Sequence, residues 1–157
     1  MTQSSRTERN SYDLQRASWR DLRAVHRLER QAFTTDAYNY FDLFLLCFWP
    51  GMVALKMADA AGQLVGFVAG GQLLGQGRTW IMTIGVHPEH QGRGLGQRLL
   101  LACEAQLTDP QIYLTVRVSN ERAIYLYRKN GYRQVRIKDR YYKNGESGIE
   151  MRKERAL

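Results

Sequence analysis

The apolar positions change period along the chain, and the changes outline its elements. After a polar stretch over residues 1–10, Tyr12 and Leu14 alternate with polar neighbours as a short strand does. Ser18 followed by Asp21 forms a capping-box pattern, and Leu22, Val25, Leu28, Ala32 and Phe33 then recur at helical spacing. A less regular apolar run from about Tyr38 to Trp49, stopped by Pro50-Gly51, predicts a second helix. Three strand-like runs follow: Val53 to Met57, Leu64 to Ala69 and Trp80 to Val86. The turn Ala60-Ala61-Gly62 separates the first two, and a glycine-bearing loop after Gly70-Gly71 precedes the third. Such short connections predict antiparallel hairpins. The third run is apolar on both faces, as a central strand is.

The period then returns to helical. Leu95, Leu99, Cys103 and Leu107 lie at i, i+4 spacing. Ile112 to Val118 reads as a strand, Asn120 as the cap of a helix that Asn130-Gly131 terminates, and Tyr132 to Ile137 and Gly148 to Arg152 as two closing strands. The order β-α-α-β-β-β-α-β-α-β-β predicts an α/β (α+β) fold: a mixed, mostly antiparallel sheet of six or seven strands with about four helices on both faces. Residues 1–10 are expected to be a flexible tail and residues 11–157 a single domain, in keeping with a length of 157 residues.

Composition narrows the class. Hydrophobic residues make up 44% and charged residues 24%, as in ordinary globular proteins. No apolar run approaches the ~20 residues of a membrane span, and the N-terminus lacks the apolar centre of a signal peptide. Cys47 and Cys103 sit among apolar neighbours, which argues against a disulfide framework, and a cytoplasmic location is expected. No His/Cys/Asp cluster has metal spacing, so no metal is expected. The net charge of +8 favours anionic partners. Arg20, Arg23, Arg27 and Arg30 form one helical stripe, either a solvated face or a docking surface for something acidic. The apolar run Phe41 to Trp49 is a candidate homodimer face.

The most informative stretch is Ile84 to Gly96. A buried strand runs into a tight loop, Gln91-Gly92-Arg93-Gly94-Leu95-Gly96, and then into a helix. Glycines let the backbone approach a ligand and adopt positive φ. The helix start offers unpaired N–H groups and the positive end of its dipole, and Arg93 adds a formal charge, so the loop is an anion site. A Walker loop needs Gly-Lys-Ser/Thr, which is absent, and the dinucleotide spacing also fails. The spacing Gln-x-x-Gly-x-Gly fits Gln91, Gly94 and Gly96.

That spacing resembles the pyrophosphate loop of the GNAT acetyltransferase superfamily. Val118-Ser119-Asn120 with Ala123, Leu126-Tyr127 and Gly131-Tyr132 resembles the family's second cofactor motif. Leu28-Glu29 with Ala32-Phe33, and Tyr141-Tyr142-Lys143-Asn144-Gly145-Glu146 with Met151, are similar to the ribosomal-protein N-terminal alanine acetyltransferases and their archaeal relatives. The match spans roughly residues 12–152. It implies splayed central strands with acetyl-CoA between them. Backbone groups of Ile84, Gly85 and Val86 would pair with the pantetheine arm, N–H groups from Gly92 to Gln97 would hold the pyrophosphate, and Asn120 would contact the cofactor nearer its thiol.

Acetyl transfer to an amine needs a neutral nucleophile, a polarised carbonyl and a proton for the departing thiolate. The resemblance places the proton donor at Tyr127, with Tyr125 turned to another side of the helix. A general base is absent from both places where relatives carry an acid: Thr115 stands at one, and Thr79 to Val86 contains none. Two solutions stay open. An α-amine with a pKa of ~8 can lose its proton through water, or Glu29, on the inward stripe of Leu22 and Val25, accepts it. His87 reads as a loop residue and His26 as helix surface. Tyr141 and Tyr142 are expected to border the acceptor groove. The implied function is acetylation of a primary amine, foremost the N-terminal α-amine of a protein or peptide, with a small-molecule amine as the rival acceptor. A basic RNA- or ribosome-binding module without turnover is the alternative of another class; nucleic acid and membrane are not expected as partners.

Overall fold

The computed structural model describes residues 11–33, 36–72 and 77–156. In chain order these form β1 (Asp13–Arg16), α1 (Leu22–Ala32), α2 (Tyr40–Phe48), β2 (Met52–Ala58), β3 (Leu64–Gly71), β4 (Thr79–Val86), α3 (Leu95–Gln106), β5 (Gln111–Arg117), α4 (Glu121–Lys129), β6 (Arg133–Lys138) and β7 (Gly148–Glu154). Short 3₁₀ turns at Trp19–Asp21 and Pro88–His90 precede α1 and α3. The order is the one the apolar periods predict. The expected tail at residues 1–10, and part of the loop after β3, lie outside the described residues.

Local chemistry explains the boundaries. The Asp21 carboxylate accepts from the Ser18 backbone N–H at 2.7 Å, completing the predicted capping box one turn ahead of α1. The second helix starts at Tyr40 rather than Tyr38, because the Asn39 side chain caps it by accepting from the Asp42 N–H at 2.9 Å. Tyr38 is thereby left outside the helix and free to reach the sheet.

The seven strands run in the order β1-β2-β3-β4-β5-β7-β6. Every neighbouring pair is antiparallel except β4 and β5, which are parallel and paired only at Thr79↔Ile112 and Trp80↔Tyr113. Beyond that point the two strands part, while each keeps its other neighbour: β4 pairs with β3 as far as Val86, and β5 with β7 as far as Arg117. A bulge accompanies the split, since Ala69 pairs with Thr83 and Gly70 with Ile81, so that Met82 is the extra residue on β4.

One apolar layer lies on each face. Val25 and Leu28 of α1 and Leu43 and Leu46 of α2 pack on Ala54, Phe67 and Ala69. On the other face Leu95, Leu99 and Cys103 of α3 and Ile124 and Tyr127 of α4 pack on Leu55, Val68, Ile112 and Leu114. Each fully buried leucine or isoleucine contributes about 1.5–3 kcal/mol over leaving it in water. The outer side of α2 is different: Phe41, Phe44 and Phe48 remain exposed. The two layers clamp the sheet, so the split between β4 and β5 is held open from both sides.

Candidate active site

The parting strands enclose a cleft of about 740 Å³, within the range of small-molecule sites. Past Trp80 on β4 and Tyr113 on β5 the facing edges have no ladder partner, and Ile84, Gly85 and Val86 line the cleft. Their backbone N–H and C=O groups therefore need a partner from outside the sheet.

The loop closes one end. Gly92 and Gly94 have φ of +78° and +77°, a region side chains rarely adopt. Gly94 is the N-cap of α3, and a Cβ built there would meet nothing within 4 Å. The first turn of α3, whose N–H groups have no helical acceptor, lines the cleft with the positive helix end behind it. Gln91 ties the loop down on two sides: its Nε2 donates to the Val86 carbonyl at 3.1 Å, and its Oε1 accepts from Arg122 at 2.9 Å. Gly92, Gly94, Leu95, Gly96 and Gln97 line the cleft. The Arg93 side chain does not: it donates to the Tyr12 hydroxyl at 3.0 Å, which is also bonded to His90 Nδ1 at 3.0 Å. Arg93 thus braces the loop against the N-terminal segment, and Arg122, a residue sequence reasoning passed over, stands at the cleft instead. Open N–H groups at a left-handed glycine fit a diphosphate.

At the other end the structure brings α1 to β4. Glu29 is 2% exposed and lines the cleft. Its Oε1 accepts from the Thr83 hydroxyl at 2.6 Å, while Oε2 is buried without a hydrogen-bond partner. Burial pushes the Glu29 carboxyl above the usual carboxylate range, against the weaker opposing pull of hydrogen bonds from Thr83 and the Tyr38 backbone. A carboxyl group thus stands beside β4, bonded through Thr83, although the strand itself carries no acid. Tyr38 lies next to it, its hydroxyl donating to the Met82 carbonyl at 3.2 Å, and burial pushes its phenol up to about 12.

Tyr127 lines the cleft from α4 and is 6% exposed, whereas Tyr125 is 69% exposed. Burial raises the Tyr127 phenol well above its ordinary value, so it stays protonated at neutral pH and carries a proton it can give, but does not serve as a base. Asn120 caps α4 by accepting from the Ala123 N–H at 3.2 Å and also lines the cleft.

Thr115 also lines the cleft, and its hydroxyl accepts from Lys138 Nζ at 3.2 Å. Directly across the ladder is Glu150, 1% exposed and bonded to Lys138 and Arg136 at 3.1 Å each. An acid does stand beside Thr115, then, but on the next strand and committed to two cations. The Lys138 ammonium is held between the rings of Trp80 and Tyr141, 4.9 and 4.8 Å from their centroids, and the Trp80 indole N–H is buried without a partner. Arg117 lies over the Tyr142 ring at 4.0 Å and pairs with Glu146 at 2.8 Å and with Asp36. Gly148 admits this crowd: a Cβ there would sit 2.7 Å from Thr115 Cγ2 and 3.3–3.4 Å from the rings of Tyr141 and Tyr142. Thr83, Trp80, Lys138 and Arg122 carried no signal in the sequence, because each acquires its surroundings from a strand or helix distant in the chain.

Comparison with known proteins agrees with the geometry. The acetyltransferase (GNAT) family model matches residues 12–132. An uncharacterised N-acetyltransferase of Methanocaldococcus jannaschii is 33% identical over 90% of this chain and 91% of its own. The N-alpha-acetyltransferase RimI of Mycobacterium tuberculosis is 35% identical over 67% of this chain and 74% of its own. Among solved structures, the ribosomal-protein-S18-alanine N-acetyltransferase of Escherichia coli superposes with a TM-score of 0.82 at 23% identity, covering 93% of this chain and 95% of that one. The catalytic fold is also that of a chain in the NatC complex bound to Gag peptide and CoA, with a TM-score of 0.82 at 16% identity over 93% of this chain and 99% of that one. The parted strands, the open loop and these relatives together place the chain in the GNAT family, as an acetyl-CoA-dependent N-acetyltransferase.

Proposed function

We propose that the acceptor is the N-terminal α-amine of a protein or peptide, with Glu29 as the base and Tyr127 as the acid. The observation that carries this reading is the groove around Glu29. A buried carboxylate with one uncommitted oxygen stands in the cleft beside the tyrosines Tyr38, Tyr141 and Tyr142. Tyrosine hydroxyls suit the carbonyls and N–H groups of a peptide backbone. Relatives described as N-alpha-acetyltransferases, RimI and the Dictyostelium discoideum N-alpha-acetyltransferase 20 at 31% identity, support the same acceptor.

Acetyl-CoA supplies the thioester from which the amine takes its acetyl group. The N–H groups of residues 92–97 would hold the diphosphate, and the open β4 edge at Ile84, Gly85 and Val86 would pair with the pantetheine arm. Glu29 Oε2 takes the proton that the amine loses on forming its bond to the acetyl carbon. Its raised pKa brings it nearer the amine's, which eases that transfer. Tyr127 would give its phenolic proton to the thiolate that leaves as the C–S bond breaks. Asn120, which lines the cleft, would contact the cofactor near that end.

A panel of peptides with free N-termini, the same peptides N-terminally blocked, polyamines and amino sugars tests the acceptor. Acetylation of free peptides but not of blocked ones is expected, and acetylation confined to polyamines or amino sugars overturns the reading. A cytoplasmic location and a homodimer through Phe41, Phe44 and Phe48 belong to the same reading, since these exposed rings suit burial against a second copy. A monomer mass in sedimentation at micromolar concentration overturns the dimer.

A further inference from the structure

The described residues bury three glutamates, and Glu29 is held differently from the other two. Glu104 accepts from the Tyr132 hydroxyl at 2.8 Å on one oxygen and from Lys153 Nζ at 2.6 Å on the other. Glu150 is bonded to Lys138 and Arg136. Each of these carboxylates has a cation, the usual compensation for a buried charge. Glu29 has none among the described residues. One neutral hydroxyl, that of Thr83, donates to Oε1 at 2.6 Å, and Oε2 has no hydrogen-bond partner. An acid buried for stability alone gains from a cation. An acid kept for proton transfer loses by it, because a cation lowers its basicity and ties down its oxygens.

The backbone of β4 is bent to bring that hydroxyl into place. In a regular strand successive side chains face opposite sides. Ile81 and Ile84 pack in the layer of α3 and α4, whereas Met82 packs in the layer of α1 and α2, and Thr83, its neighbour, meets Glu29 on that same side. Two consecutive residues share a face because Met82 is the extra residue of the bulge. Were the same residues regularly pleated, Thr83 would face α3 and Glu29 would lose its donor. The bulge is supported from the same corner of the fold, since the Met82 carbonyl accepts from the Tyr38 hydroxyl at 3.2 Å.

We propose that Thr83 is the positioning residue of the base: by pinning Oε1 it fixes the rotation of the Glu29 carboxyl and leaves Oε2 for the acceptor amine. This rests on Glu29 being the base. The hydroxyl acts through Glu29 and contacts neither the amine nor the thioester. It donates to the charged form, so it offsets part of the desolvation that raises the Glu29 pKa and keeps more of the carboxyl in its basic form near neutrality. A hydroxyl orients the carboxylate without quenching it, which a lysine in its place would do.

The pH dependence of kcat and kcat/KM in wild type, Thr83→Val and Thr83→Ser, each with and without Glu29→Gln, tests the proposal. Around Glu29 stand Tyr38 and, along the acceptor end of the cleft, Asp36, Arg117, Lys138, Tyr141 and Tyr142. Burial pushes Tyr38 and Tyr142 up to about 12, and Asp36 is paired with Arg117. Hydrogen bonds from Ser119 and Arg117 hold Glu146 below its ordinary value, and at Glu150 the donors Lys138 and Arg136 outweigh burial in the same direction. An acid limb above 4.5 that disappears in Glu29→Gln therefore reports Glu29. Thr83→Val should move that limb up by about one pH unit, the scale of one lost hydrogen bond to a charged group. Its plateau kcat should fall about tenfold, with the KM for acetyl-CoA and for acceptor changed less than twofold. Thr83→Ser, which keeps the hydroxyl, should restore both the limb and kcat to within about twofold. In the Glu29→Gln background Thr83→Val should cost less than about twofold more. An unmoved limb with kcat within twofold in Thr83→Val overturns the proposal. Equal losses in Thr83→Val and Thr83→Ser do so too, by assigning the effect to packing, as does a further tenfold loss on top of Glu29→Gln. A Glu29→Gln variant as fast as wild type would instead remove Glu29 as the base and the role of Thr83 with it, whereas a slow Glu29→Gln beside an unaffected Thr83→Val would overturn Thr83 alone.

Discussion

On the mechanism proposed above, Glu29 and Tyr127 carry opposite halves of the proton transfer, and burial raises the pKa of both, making Glu29 a stronger base and keeping Tyr127 in its proton-bearing form. Glu29 is held protonated to higher pH in the folded protein than in the unfolded chain, because desolvation disfavours its charge. In the window above the ordinary glutamate value of 4.5 the folded state therefore binds more protons than the unfolded one. Stability linked to this group is complete below that value and falls as pH rises through the folded pKa. Glu29→Gln removes the dependence: thermal melts from pH 4 to 8 should show the variant gaining on wild type as pH rises. The same variant should lose at least about tenfold in kcat. What rate remains should follow the acceptor's own pKa of ~8. A wild-type rate that already tracks the amine, and a variant indistinguishable from it, would restore the water-mediated route and remove Glu29 from the chemistry. For Tyr127→Phe the ring packing against Tyr132 is kept and only the hydroxyl goes. We expect kcat to drop ~10²–10⁴-fold with the acetyl-CoA KM nearly unchanged. A change under about threefold would leave Tyr127 as a core residue.

Between residue and fold, two elements owe their function to a glycine. On the proposed reading the start of α3 is an anion site because Gly94 takes φ +77° with open space where a side chain would project. Gly94→Glu puts a carboxylate into that space, and calorimetry should show acetyl-CoA binding lost while the far-ultraviolet spectrum is kept. The start of β7 works as a wall of the groove because Gly148 lets Thr115, Tyr141 and Tyr142 close in. Gly148→Ala must displace Thr115 Cγ2 or the two rings. The acceptor KM should rise about tenfold or more with the acetyl-CoA KM unchanged, the split that separates a groove defect from general damage. Equal effects on both constants would place the fault in the sheet rather than the groove.

The whole molecule is a sheet opened at its middle and clamped at both faces, and a ligand that bridges the opening stabilises the folded state alone. At a hundred times its Kd, acetyl-CoA should add about 2.7 kcal/mol, visible as a rise in Tm, and a structured RNA at the same excess should add none. A rise with RNA and none with acetyl-CoA would revive the binding-module alternative that the net charge of +8 suggested. Much of this architecture is legible in the sequence. Apolar period assigns every strand and helix in order, because each buries one face and its neighbours in sequence share the layer. The strand–glycine–helix geometry of the loop is legible for the same reason: strand, turn glycines and helix start are contiguous, and local backbone preferences set it. That Tyr127 faces the cleft and Tyr125 the solvent is readable from the helical spacing, whereas the role of Tyr127 comes from resemblance. What tertiary structure alone decides is where side chains from distant segments meet. It carries Glu29 on α1 to Thr83 on β4, and turns Arg93 away to Tyr12. It brings Arg122 from α4 in its place, and sets the acid expected at Thr115 one strand over, at Glu150. Periodicity records which face of an element is buried. It holds no record of which charge on another element lies a few ångströms away, because that distance follows from strand order and from the parting of β4 and β5, which long-range packing determines.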